Sequence, residues 1–164
     1  MRVNFRLMIL FILLFFVETG TVFSQETMIV TIMSSKPVAV AKGQITQLTV
    51  TAKIKKGFHI QANPAANEFL IPTTLTIQAS EGITLDKPLY PPGLPYKLKG
   101  SSEDLLTYED EVKIRLPVKV MDSVPAGNAI LTGELSFQPC DDRKCMFPRS
   151  VPVVIPLKIV VLQN

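Results

Sequence analysis

Two cysteines, Cys140 and Cys145, are the residues of this 164-residue chain whose type and spacing most directly suggest chemistry. They lie in Gln138-Pro139-Cys140-Asp141-Asp142-Arg143-Lys144-Cys145-Met146-Phe147-Pro148, with four residues between them. If 141–144 form a hairpin tip, the cysteines face each other across it, and facing residues of an antiparallel pair have Cα atoms about 4.5–5.5 Å apart. A disulfide needs about 4.4–6.8 Å, so the pair can bond with little backbone movement. Such a bond has two readings. As a staple it closes so short a loop that it removes little unfolded-state entropy, about 2 kcal/mol. It also cannot tie the two sheets of a sandwich together. As a redox pair it sits at an exposed tip, within reach of a partner thiol. The flanking charges distinguish the two sulfurs. Arg143 and Lys144 precede Cys145 and favour its thiolate, whereas Asp141 and Asp142 follow Cys140 and disfavour a thiolate there. Cys145 is then the better nucleophile and Cys140 the resolving partner. Spacing alone leaves staple and redox pair both open.

Other chemistry is sparse. His59 is the only histidine, which excludes a multi-histidine metal site within one chain. It stands between Phe58 and Ile60 in a strand pattern and reads as a structural or surface histidine. A copper site would need Met33, Met121 or Met146 to gather with His59 near the cysteines; soft ligands suit Cu(I), but these methionines are scattered along the chain. There is no Gly-rich phosphate loop, no Ser/His/Asp grouping and no zinc spacing. A formal net charge of +3 is too small for the basic stripe of a nucleic-acid binder.

The elements that must hold the cysteines read as strands. All 13 prolines lie beyond residue 24, about 9% of that stretch against a usual 5% or so, a density hostile to helix interiors. Apolar and polar residues alternate along five segments: Leu48 to Ile54, Phe69 to Ile77, Val112 to Val120, Leu131 to Phe137, and Val151 to Ile159. Segments 28–33 and 37–42 add one or two more. A strand buried on one face and wet on the other has this period of two. Seven or more such strands in a single domain predict an antiparallel sandwich. Prolines 72, 117, 152 and 156 predict edges or bulges. Turn residues separate the strands at Lys56-Gly57, 62–67, Ser80-Glu81-Gly82 and 125–128. One long irregular stretch, Lys87 to Tyr108, is rich in Pro and Gly and carries Tyr90, Tyr96 and Tyr108. These tyrosines are expected to pack the stretch onto the sandwich. Glu103, Asp104, Glu109 and Asp110 read as a solvated face.

The N-terminus reads as an address. Arg2 and Arg6 precede an apolar run from Leu7 to Val17. Eleven helical residues rise only about 16 Å, against a hydrocarbon core of about 30 Å. A charged start, a short apolar centre and a small-residue exit at Val22-Phe23-Ser24 predict a secretory signal peptide over 1–24, cut before Gln25, with an uncleaved membrane anchor as the alternative. The domain then occupies 25–164 in an oxidising compartment. No second long apolar run follows, so no membrane span is expected after the signal is removed.

The stretch Leu135-Ser136-Phe137-Gln138-Pro139-Cys140 to Cys145-Met146-Phe147-Pro148 resembles the cysteine signature of the N-terminal periplasmic domain of the thiol:disulfide interchange protein DsbD. Lys56-Gly57-Phe58-His59-Ile60, with Asn63-Pro64 and Ile71-Pro72-Thr73-Thr74-Leu75 after it, is similar to a strand region of that domain. The likeness runs from about Val30 to Val161. It implies an immunoglobulin-like sandwich, a periplasmic location and thiol–disulfide exchange without metal or organic cofactor. Cys145 would form mixed disulfides and Cys140 would resolve them. A thioredoxin-like domain or membrane reductase would donate electrons, and periplasmic oxidoreductases would accept them. In the family an aromatic loop caps the pair. The matching region, about Tyr96 to Tyr108, has Leu98-Lys99-Gly100 at the cap instead, and Phe147 stands where proline is usual. The family's membrane segment and thioredoxin-like domain have no counterpart in the sequence, so the donor is expected to be a separate protein. The competing expectation, from another class, is a sandwich binding or assembly module with a structural hairpin disulfide.

Overall fold

The computed structural model of the chain describes residues 28–34 and 36–161. The expected signal peptide, 1–24, lies outside the described residues. Twelve strands form among the described residues, and no helix. In chain order they are β1 (Val30–Ile32), β2 (Val38–Ala41), β3 (Ile45–Ile54), β4 (His59–Gln61), β5 (Thr74–Ile77), β6 (Ile83–Leu85), β7 (Leu94–Lys97), β8 (Asp104–Tyr108), β9 (Glu111–Val120), β10 (Gly127–Phe137), β11 (Pro139–Cys140) and β12 (Arg149–Val160).

Alternation sets the two faces of the body. In β3 and β9, Leu48 pairs with Leu116, Val50 with Ile114 and Ala52 with Val112, and all six side chains are buried. In β10 and β12, Leu131 pairs with Ile155, and Leu135, Phe137, Val153 and Leu157 are buried with them. The first sheet runs β1-β3-β9-β6 and the second β2-β12-β10-β5. Their inward faces share one apolar core, giving the expected immunoglobulin-like all-β sandwich. One pairing departs from the antiparallel rule: β2 runs parallel to β12. Gly133 sits mid-strand in β10 because a Cβ there would run into the Thr76 carbonyl oxygen and Ile77 of β5.

The strand prolines respect the ladder in a way their positions alone do not reveal. Both β9 and β12 have neighbours on two sides. However, β2 covers only Leu157–Val160 of β12, so Pro152 and Pro156 lie on an open edge. Likewise β6 covers only Val118–Val120 of β9, so Pro117 falls just outside that pairing.

Two expectations are corrected. The strand over Phe69 to Ile77 is only β5, from Thr74; Phe69 and Ile71 are exposed. The Ile71 N–H donates to the Gln138 side chain and the Thr73 N–H to the Gln61 carbonyl, so these residues lean on other elements before β5 begins. Nor is Lys87 to Tyr108 irregular throughout, since it contains β7 and β8. Proline and glycine masked a short antiparallel pair there, running from Leu94↔Thr107 to Lys97↔Asp104. As expected, Tyr90 and Tyr108 pack this region against the apolar core, whereas Tyr96 stacks on His59 instead. The Leu75 N–H donates to the Tyr90 hydroxyl at 2.8 Å, and the Tyr108 hydroxyl donates to the Pro91 carbonyl at 2.9 Å. Burial pushes both phenols above their ordinary pKa, so they stay neutral.

A third sheet, β11-β4-β8-β7, closes one end of the sandwich. Three of its strands are extensions of body strands. β3 turns through Lys55–Phe58, with Gly57 at φ +85°, into β4. β8 turns through Glu109-Asp110 into β9, and β10 passes Gln138 into β11. No described helix is long and apolar enough to cross a membrane.

Candidate functional site

The cysteine hairpin grows from the end of β10. Around the tip, the Asp141 N–H donates to the Lys144 carbonyl at 3.0 Å and the Met146 N–H to the Pro139 carbonyl at 2.7 Å. These two bonds flank Cys140 and Cys145, which therefore form a non-hydrogen-bonded pair, the kind in which side chains approach most closely. Their Cα atoms lie 3.9 Å apart and the sulfurs are joined in a disulfide. The pairing predicted from the hairpin is thus present, with the backbones nearer than the facing-residue spacing suggested.

The tip is exposed at Arg143 and Lys144, as expected, but the bond at its base is only partly so. Cys140 is fully buried, while Cys145 is partly exposed and borders a surface hollow with Gln138, Lys144, Met146, Phe147 and Pro148. The two sulfurs therefore differ in access even though they share one bond. Beside the hollow, the Gln138 side chain accepts from the Ile71 N–H at 2.9 Å and donates to the Met146 carbonyl at 3.2 Å. It ties the strand-region loop to the segment that carries Phe147.

The four residues between the cysteines build the turn. The Asp141 carboxylate accepts the N–H groups of Arg143 and Lys144, each at 2.8 Å, an Asx-type turn. Those two bonds hold its carboxyl below the ordinary aspartate pKa. The Asp142 carboxylate takes the Lys99 ammonium at 2.5 Å, which lowers its own pKa, and lies 3.9 Å from Arg143 Nε. The opposed charges read along the chain are thus partly matched within the turn and by Lys99.

Lys99 also donates its N–H to the Asp142 carbonyl at 2.8 Å. Leu98-Lys99-Gly100, identified at the cap by resemblance, therefore does reach the cysteine hairpin. An aromatic is present too, but it comes from β7. Tyr96 stacks on His59 with ring centroids 3.7 Å apart. Register explains the meeting. Cys140 pairs with His59 in β4, and Tyr96 pairs with Leu105 in β8. With side chains alternating along each strand, Cys140, His59, Gln61, Thr107, Glu109 and Tyr96 share one face of the end sheet. His59 Nε2 lies 3.1 Å from the Glu109 carboxylate. Glu109 is exposed, as expected of a solvated face, but its carboxylate reaches His59, and His59, expected only in a generic strand, pairs with Cys140.

Gln61 carries no signal in the sequence beyond standing two residues from His59, and so on its face of a strand. It is fully buried, and its Nε2 donates to Cys140 Sγ at 3.2 Å and Cys145 Sγ at 3.4 Å. Only register could place it beneath the disulfide, because β4 and the hairpin are 79 residues apart in the chain.

Solved structures similar to the chain include two from this kind of domain. One is the Neisseria meningitidis DsbD n-terminal domain in the reduced form, at 14% identity and a TM-score of 0.42, covering 67% of this chain and 76% of that one. The other is the N-terminal periplasmic domain of ScsB from Proteus mirabilis, at 14% identity and a TM-score of 0.43, covering 79% of this chain and 44% of that one. No curated protein matches the chain. Residues 30–154, from β1 into β12 and including both cysteines, match the family described as thiol:disulfide interchange protein DsbD, N-terminal, and the chain belongs to that family.

Proposed function

We propose that this domain is an exported dithiol carrier, working in the periplasm, that relays reducing equivalents by thiol–disulfide exchange. The observation that carries this is the asymmetry of the Cys140–Cys145 bond: one sulfur is enclosed, and the other borders a surface hollow. A donor thiolate, from a thioredoxin-like domain or membrane reductase, attacks Cys145 Sγ. The S–S bond breaks and Cys140 leaves as a thiolate, which takes up a proton. The donor's second thiol then breaks the mixed disulfide, so two electrons and two protons have passed to the pair and the donor is left oxidised. In the onward step the Cys145 thiolate attacks an acceptor disulfide, and Cys140 resolves the mixed disulfide. The chemistry needs only the two sulfurs and a docking surface. The signal peptide at 1–24 is part of this proposal, since a disulfide carrier at rest in its bonded form suits an oxidising compartment.

Two measurements test it. Equilibration with reduced and oxidised glutathione is expected to give a reduction potential above about −300 mV, since bonds below that value are structural. With Cys140→Ala, a mixed disulfide through Cys145 is expected with a thioredoxin-like partner. A potential below about −300 mV, with no adduct formed where known exchange proteins give one, would leave a binding or assembly module with a structural bridge.

A further inference from the structure

Gln61 is held more firmly than a space-filling residue requires. Its N–H donates to the Gln138 carbonyl at 3.1 Å, and its carbonyl accepts both the Thr73 N–H at 3.2 Å and the Thr73 hydroxyl at 2.6 Å. The side chain is thereby aimed at the disulfide. Yet it fits the disulfide poorly. Its two nearest acceptors are sulfurs, and its Oε1 has no hydrogen-bond partner among the described residues. A buried amide left this way is destabilising, because it has given up water for weak or missing partners.

Reduction changes the match. A donor dithiol supplies two electrons and two protons and becomes a disulfide. The Cys140–Cys145 bond opens to two thiols, and exchange proceeds through the form in which one of them has given up its proton. A thiolate is a strong acceptor for Nε2–H, since hydrogen bonds to an ionised group are the stronger kind. A thiol S–H is a donor, which Oε1 can accept. One primary amide therefore offers a partner to each sulfur of a thiol–thiolate pair, and offers neither properly to a disulfide. We propose that Gln61 is a positioning residue matched to the reduced cysteine pair, and that it makes the disulfide easier to reduce. This rests on the exchange function proposed above and adds to it a residue that sets how easily the pair accepts electrons.

The test compares the wild-type domain with Gln61→Met and Gln61→Leu, which keep the bulk and remove both amide groups. Each is expected to lower the equilibrium constant for reduction by glutathione about tenfold, or about 30 mV more negative for a two-electron couple. The pH midpoint of alkylation of the reduced thiols should rise by about one unit. The other groups around the pair are Asp141, Asp142, Arg143 and Lys144 in the turn, Lys99 on the cap segment, and His59 with Glu109 on β4 and the turn after β8. All are unchanged in these variants. Unfolding of the oxidised variants should need at least as much urea as wild type, an outcome opposite to that of a purely structural role. In wild type the Gln61 side-chain amide resonances should follow the thiol titration, a readout that needs no variant. An unchanged potential and alkylation midpoint, a shift toward easier reduction, or amide resonances indifferent to thiol ionisation would each overturn the role of Gln61. A wild-type potential below about −300 mV would instead overturn the relay itself, so the two failures are distinct.

Discussion

In the body of the sandwich, β10 pairs with β12 over eleven residues and β3 with β9 over nine, whereas no pairing in the end sheet exceeds four. The contents of the two regions differ as much as their ladders. The buried faces of the long strands are aliphatic or aromatic. The three buried polar residues among those described, Gln61, Thr73 and Thr107, all belong to the end sheet or bond directly to it. Long apolar ladders bury area and stabilise the fold. Short strands with polar side chains on one face contribute less burial, but they can set a disulfide among groups that respond to its redox state. The end sheet is positioned by the body, because β4, β8 and β11 are extensions of β3, β9 and β10.

That division can be broken or sharpened by experiment. The largest effect is expected from Leu131→Ala in β10, a fully buried core position. It should lower the unfolding free energy by about 3 kcal/mol in urea titrations of the oxidised protein and leave the reduction potential unmoved. A shifted potential would mean that body and site are mechanically coupled. Reducing the disulfide comes next. The bond closes a short loop, so its loss should lower stability by about 2 kcal/mol, a fraction of the about 5–15 kcal/mol typical of a domain. Far-ultraviolet circular dichroism should therefore retain the strand signal in excess dithiothreitol. Its collapse would make the bond a staple. Phe147→Ala, at a side chain 90% exposed beside Cys145, should change stability by less than about 0.5 kcal/mol. A larger loss in urea titration would show that the hollow is part of the core.

The smallest effect concerns the acid side. Asp141 and Asp142 titrate below the ordinary aspartate value, the first because it accepts turn N–H groups and the second because Lys99 binds it. A folded pKa below the unfolded one gives stability that is present above about pH 3.9 and is lost as pH falls through the folded value. Carboxyl titration by NMR should therefore place both midpoints on the acid side of free aspartate. Lys99→Ala should move Asp142 back toward the ordinary value and leave Asp141 nearly where it is. If both moved together, the turn and the cap segment would be one unit.

Sequence periodicity was enough to find the long strands and their buried faces. Leu48 to Ile54, Val112 to Val120, Leu131 to Phe137 and Val151 to Ile159 each bury one side over many turns of the pleat, so the pattern repeats often enough to read. It was not enough for β7 and β8. A four-residue strand with Pro95 inside it, in a stretch rich in Pro and Gly, has no legible period. Nor was it enough for Phe69 to Ile77, where alternation continued through residues that bond to Gln138 and Gln61 instead of joining β5.

The chain's own order determined that two cysteines five residues apart would face each other, because a tight turn between antiparallel segments is a local affair. Tertiary structure decided everything the sulfurs touch. Cys140 is enclosed, Cys145 is reachable, Tyr96 covers His59, Lys99 holds Asp142, and the Gln61 amide lies beneath the bond. The partners of His59, Lys99 and Gln61 stand about 40 to 80 positions away, and those of His59 and Gln61 meet them because strand register brings the residues to one face of a small sheet. Register across distant strands is set by the packing of the whole sandwich, which no local pattern around the cysteines records.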